Sequence, residues 1–271
     1  MAHAFPLLFL VLLFCTCHAA YAQEWRLAWS DEFDGPADSP PDPAKWRYDL
    51  GGGGWGNREL ETYTNSTANV FLDGAGHVVI RAVRTESGGY TSARLKTQDR
   101  FTTTYGKIEA RIKIPSGEGM WPAFWALGAN IADRSVGWPR CGEIDIMENI
   151  GKEPSIVHGT IHGPGYSGAH GIGAPFTLAG GHPFSEDFHV FGVIWQPESV
   201  EFFVDGESYE KIESTTIPAG TKWVFNTPFF LLLNVAVGGS WPGNPTAATR
   251  FPQEMTVDYV RVYRRVAAGQ R

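Results

Sequence analysis

The sequence predicts an all-β protein built from two packed antiparallel sheets. Short apolar, β-branched or aromatic runs recur between Gly, Pro, Asn and Asp punctuation along most of the chain. No segment of useful length shows helical periodicity, and Asp205-Gly206 is a strong hairpin signal. In chain order, residues 78–83 read as a strand, and 106–114 alternate almost strictly. Residues 142–149 place acids within an apolar run. Residues 189–195 and 200–204 follow, the second ending on the hairpin turn, and 229–235 and 256–263 complete the set. The Gly- and Pro-rich stretches 35–43, 51–56 and 163–181 are expected to be surface loops, where binding residues concentrate on a rigid sheet scaffold.

The first 22 residues read as a secretion signal. Residues 5–14 are almost wholly apolar, and Ala20-Tyr21-Ala22 has the small-x-small pattern of a cleavage site. The apolar stretch is too short to span a bilayer, and the start carries no Lys or Arg, so the α-amine alone supplies positive charge there. Phe14 is too large for the position before a lipidated Cys15. Residues 23–271 are then expected to form one secreted domain, extracellular or periplasmic and monomeric, at a length all-β domains commonly reach. Cys15 and Cys17 leave with the signal, so Cys141 remains alone without a disulfide and is expected to be a small buried hydrophobe. The formal net charge of −7 argues against nucleic acid or an anionic membrane as partner, because both reward clustered Lys and Arg. A neutral polymer fits better.

Residues 142–149 read Gly-Glu-Ile-Asp-Ile-Met-Glu-Asn. In a regular strand Glu143, Asp145 and Met147 would share one face and Glu148 would point to the other. A bulge of one residue around Ile146-Met147 would bring Glu148 back beside the first two acids, and bulges are over-represented next to active sites. A solvated edge strand is the plain alternative. Against it, Ile144, Ile146 and Met147 are apolar, and Trp121-Pro122-Ala123-Phe124-Trp125 supplies the flat aromatic surface on which sugar rings stack. His158 and His162 are four apart and would share a face of a strand, but the chain offers neither a cysteine set nor an H-E-x-x-H helix, so zinc is not expected.

At this point the chain resembles glycoside hydrolase family 16, most closely its laminarinase-like endo-1,3-β-glucanases. The resemblance rests on Trp29-Ser30-Asp31-Glu32-Phe33, Gly54-Trp55-Gly56-Asn57-Arg58-Glu59-Leu60, Tyr90-Thr91-Ser92-Ala93-Arg94, residues 121–125, the carboxylate run, and the stretch 236–244 around Trp241. It implies a β-jelly roll with an open concave cleft and hydrolysis with retention of configuration. Glu143 takes the nucleophile's place, Glu148 that of the acid/base, and Asp145 that of a group between them sharing a proton or hydrogen bond. The extra residue, here Met147, is found in laminarinase-like members and absent from the E-x-D-x-E of lichenases. Resemblance also places His162 beside the acids, Trp121, Trp125 and Trp241 along the cleft as stacking surfaces, and Asn57 and Arg94 as hydrogen-bonding partners of sugar hydroxyls. Trp195, inside an apolar run, reads as core.

No cofactor is implied for the chemistry. Family members often bind a structural calcium on the convex side, here through Glu32, Asp258 and a backbone carbonyl such as that of Gly74. The expected substrate is laminarin-type β-1,3-glucan. Mixed-linkage glucan, a galactan, or transfer to sugar in place of water are alternatives for the same machinery. A non-catalytic glucan-binding protein is the alternative from another class, but such binders lose the catalytic glutamates, and this chain keeps all three acids.

Overall fold

The computed structural model describes residues 24–266, so the expected signal at 1–22 lies outside the described residues. Two sheets face each other. One has seven strands in the order β12 (Ile172–Thr177), β11 (Ile156–His162), β10 (Glu143–Glu148), β9 (Met120–Gly128), β16 (Phe229–Val237), β7 (Arg94–Lys96) and β2 (Arg47–Asp49). The other has ten: β15 (Glu207–Glu213), β14 (Ser199–Val204), β13 (His189–Gln196), β8 (Gly106–Lys113), β17 (Gln253–Val266), β5 (Val78–Arg84), β6 (Tyr90–Ser92) and β3 (Glu61–Tyr63) in sequence, with β1 (Glu24–Asp31) on β17 and β4 (Val70–Leu72) on β5. Pairing is antiparallel except between β3 and β6, which run parallel, a departure from the expected pattern. Helical structure among the described residues is limited to single 3₁₀ turns, and none is long and apolar enough to cross a membrane.

Every strand expected from the sequence is present. Asp205 and Gly206 take φ of 50° and 84°, the positive pair that a type I′ hairpin requires between β14 and β15. Asp205 also accepts the Val190 amide at 2.7 Å, tying the turn to β13. The stretch 163–181 corrects the expectation of a plain loop, since it holds the edge strand β12. Its Gly and Pro hid it. Pro175 lies opposite His158 at the sheet's edge, where a missing amide donor leaves no ladder bond unmade. Gly173 is required by contact, because a Cβ there would sit 2.0 Å from the Gly159 carbonyl oxygen.

The main core lies between the sheets. Phe124, Ala126, Ile144, Ile161, Leu231, Leu233 and Val235 of the seven-stranded sheet meet Ile108, Ala110, Ile112, Val193, Val260 and Val262 of the other. Each fully buried Leu or Ile side chain contributes about 1.5–3 kcal/mol. Trp195 is 1 % exposed and donates to the Phe225 carbonyl, the core role read from its sequence context. A smaller apolar cluster, Leu127, Cys141, Phe230 and Leu232, sits on the opposite face of the seven-stranded sheet with Ile131 and Val136 of the 129–142 segment packed on it. Cys141 is buried as expected, and burial pushes its thiol up to about 11. The rest of that outward face carries Trp121, Trp125 and the acids of β10.

Candidate active site

The bulge in β10 builds the site. On β9 the register places Asp145 opposite Trp125 and Met147 opposite Phe124, so Ile146 is the extra residue; on β11 the register breaks between Asp145 and Glu148. Ile146 and Met147 both enter the main core, and the strand resumes with Glu148 on the outward side. Glu143, Asp145 and Glu148 therefore share the face turned away from the core, as the sequence reading anticipated. His162 of β11 pairs directly with Glu143 and brings Nε2 to 3.0 Å from Asp145 Oδ2 and 3.9 Å from Glu143 Oε1. Trp121 donates from Nε1 to Glu148 Oε1 at 2.9 Å.

Burial governs the charge states. Desolvation, then the neighbouring Asp145 charge, holds Glu143 well above the usual carboxylate range, while Arg94 and His162 pull the other way. Burial raises Asp145 to about 8. Glu148 is likewise raised to about 8, by desolvation first and the Asp145 charge second, with the Trp121 hydrogen bond opposing. Three carboxyls this close cannot all ionise at neutral pH, and the cluster keeps protons as a unit. The arrangement supplies a protonated acid at Glu148 beside a carboxylate shared between Glu143 and Asp145. Trp121→Phe keeps a ring but removes the donor that favours ionised Glu148, so the alkaline fall in hydrolysis should move to higher pH, as a kcat/KM profile would show.

The predicted binding residues fall on two flanks. Arg94 of β7 lies between the rings of Trp55 and Trp125, 5.0 and 4.6 Å from their centroids, and pairs with Asp49 of β2 at 3.1 Å. Trp125 donates to Asn234 of β16, Asn234 to the Tyr63 hydroxyl, and that hydroxyl to Glu59, which also accepts from Asn57 Nδ2. Asn57 is thus a brace within this network as well as a surface group. On the other flank Trp241 packs edge-on against Trp121 at 5.5 Å and against His158 at 5.0 Å. His158, undecided from sequence, lies opposite Glu148 and meets Glu153 through Nε2 at 3.1 Å. Trp138 stands exposed 6.2 Å from His162.

Sequence reasoning missed Asn234, Tyr63, Asp49 and the Glu59–Glu61 pair. Asn234 had a readable signal, being the one polar residue in Phe-Phe-Leu-Leu-Leu-Asn-Val-Ala-Val. Glu61 is 1 % exposed, accepts the Val237 amide at 2.7 Å, and is pushed up to about 8 by burial and the Glu59 charge. The unfolded chain gives up this proton near pH 4.5, whereas the folded protein keeps it to about 8. Stability from this group is therefore full below the lower value and is lost as pH rises through that window. Glu61→Gln should raise the melting temperature at pH 8 and flatten its decline from pH 5 to 8.

Two of the proposed calcium ligands, the carboxylates of Glu32 and Asp258, are paired with arginines. Both Glu32 oxygens accept from Arg261, at 3.1 and 2.7 Å, and Asp258 pairs with Arg111 at 2.7 Å. With both carboxylates neutralised by guanidinium groups, this set does not fit a hard cation that needs six to eight free oxygens.

A two-sheet sandwich bearing buried, proton-sharing carboxylates and indole rings on one open sheet face defines a carbohydrate-cleaving enzyme. The chain belongs to glycosyl hydrolases family 16, whose match extends over residues 56–261. It is 44 % identical over 257 residues to a beta-glucanase of Rhodothermus marinus, covering 90 % of this chain and 86 % of that protein. The laminarinase catalytic domain of Thermotoga maritima MSB8 superposes with a TM-score of 0.82 at 49 % identity, over 89 % of this chain and 98 % of that one. The endo-β-1,3-glucanase of Pyrococcus furiosus gives 0.84 at 48 %, over 91 % and 97 %.

Proposed function

We propose that the protein is an endo-acting hydrolase of laminarin-type β-1,3-glucan that retains anomeric configuration. The β10 bulge carries the reading, because it sets Glu148 on the same face as Glu143 and Asp145 while its two apolar residues stay in the core. Similarity to laminarinases over nearly the whole described region supports the substrate class.

Glu143 attacks the anomeric carbon as Glu148 gives its proton to the departing glycosidic oxygen, leaving a glycosyl ester on Glu143. Glu148, now a carboxylate, then takes a proton from water as that water attacks the same carbon and frees Glu143. Asp145 and His162 hold Glu143 in position. Trp121, Trp125 and Trp241 offer ring faces to glucose units, and Arg94 with the Asn57–Glu59 network holds the Trp55–Trp125 flank. A purely binding role is disfavoured by the cost of burying three mutually crowded carboxyls in a site that only stacks sugars.

The test is incubation of purified protein with laminarin, lichenan, agarose and carboxymethyl cellulose, with products resolved by size. Laminarin should yield intermediate oligosaccharides early. Preferred cleavage of agarose or lichenan would reassign the substrate. Export by the residue 1–22 signal is part of the same proposal, and N-terminal sequencing of secreted protein should begin at Gln23.

A further inference from the structure

We propose that Glu143, Asp145 and His162 form a reversible binding site for a divalent transition-metal ion, one that blocks the active centre. A ligand atom from each residue lies within 4.8 Å of the other two. Metal bonds of about 2.0–2.2 Å to nitrogen and carboxylate oxygen put tetrahedral ligand atoms about 3.4 Å apart. His162 Nε2 stands 3.0 Å from Asp145 Oδ2 and 3.9 Å from Glu143 Oε1, on either side of that spacing. One imidazole with two carboxylates suits a zinc-like ion, whereas calcium asks for an all-oxygen shell.

A second observation points to a ligand. Asp145 is 4 % exposed, and its Oδ2 accepts no well-directed hydrogen bond although it faces Nε2. A buried carboxylate oxygen left without a hydrogen bond beside an imidazole nitrogen is what an inserted cation would satisfy. The Glu143 side chain keeps some exposure, which leaves an approach from the open face and a fourth position for water. No sequence motif announces this site, because its ligands come from a cross-strand pair, Glu143 with His162, and not from one helix or loop.

The site is built as a trap and not as a resident metal centre. Metal-bound histidines normally donate their second ring nitrogen to an acceptor, and His162 Nδ1 is buried without one. Binding should therefore be reversible and removed by chelators. Its consequence, inhibition competitive with glucan, rests on the catalytic roles proposed above; the site itself does not.

Cobalt(II) titration of the folded protein tests the proposal through visible absorption, where a four-coordinate ion gives an intense band and a six-coordinate hydrated ion a faint one. One equivalent should develop the intense band, EDTA should erase it, and zinc should displace it. His162→Gln and Asp145→Asn should each weaken binding at least about tenfold, with circular dichroism confirming that both variants are folded. His158→Gln should leave the band unchanged. A faint spectrum, or an intense one that survives His162→Gln, would assign the metal to surface pairs such as His189–Asp205 and overturn the site. An intense band in a protein without activity on any glucan would keep the metal site and overturn the hydrolase reading instead.

Discussion

Glu143→Gln and Glu148→Gln should each lower hydrolysis of laminarin by several orders of magnitude while leaving glucan binding nearly intact. Stacking on Trp121, Trp125 and Trp241 does not depend on either carboxyl's charge, so binding and chemistry separate. Loss of fold will not explain the result. Both carboxyls are raised by burial, so the folded state already prefers them neutral, and a neutral amide should hold or raise the melting temperature above pH 5. The two roles are told apart by azide. At Glu143→Ala it should take the nucleophile's place and give an α-glycosyl azide; at Glu148→Ala rescue should need an activated leaving group and give a β-product. The reverse pattern would exchange the assignments.

Inserting one alanine between Met147 and Glu148 should abolish activity and destabilise the fold. The insertion turns Glu148 toward the core beside Ile146 and Met147, and a one-residue slip moves a side chain to the other face of a sheet. An isolated carboxyl there costs several kcal/mol, and the Trp121 hydrogen bond is lost. Deleting Met147 acts in the opposite sense. It restores strict alternation, keeps all three acids on the outer face, and should preserve measurable hydrolysis with a changed preference between laminarin and mixed-linkage glucan. Thermal melting and activity on both glucans check the pair. If the insertion variant stays active, or the deletion is as inactive as the insertion, the bulge does not place Glu148.

Much of this was legible because the two sheets obey simple periodicities. The alternating run through β8, the Asp205-Gly206 turn and the apolar β16 each match one physical rule, and the structure follows them. Glu148 was legible through an exception, since three acids in an apolar strand need a bulge to meet. What stayed hidden depends on contacts between distant segments. β12 reads as loop because its Gly173 and Pro175 are explained only by the edge position and the Gly159 carbonyl. Glu61 reads as an ordinary polar residue until the Val237 amide and the Glu59 carboxyl are beside it. The expected calcium ligands also depend on distant contacts. Resemblance proposed Glu32 and Asp258, but sequence could not show that Arg261 and Arg111 hold them.

In the proposed double displacement on β-1,3-glucan, Glu143 and Glu148 act together. Proton NMR of laminarin digestion, recorded from the first minutes before mutarotation, reads the stereochemistry of that reaction. The first reducing ends to appear should carry the β configuration, with the α signal growing in later. Reducing ends that first appear in the α form would show inversion by a single displacement, and would contradict a covalent intermediate on Glu143.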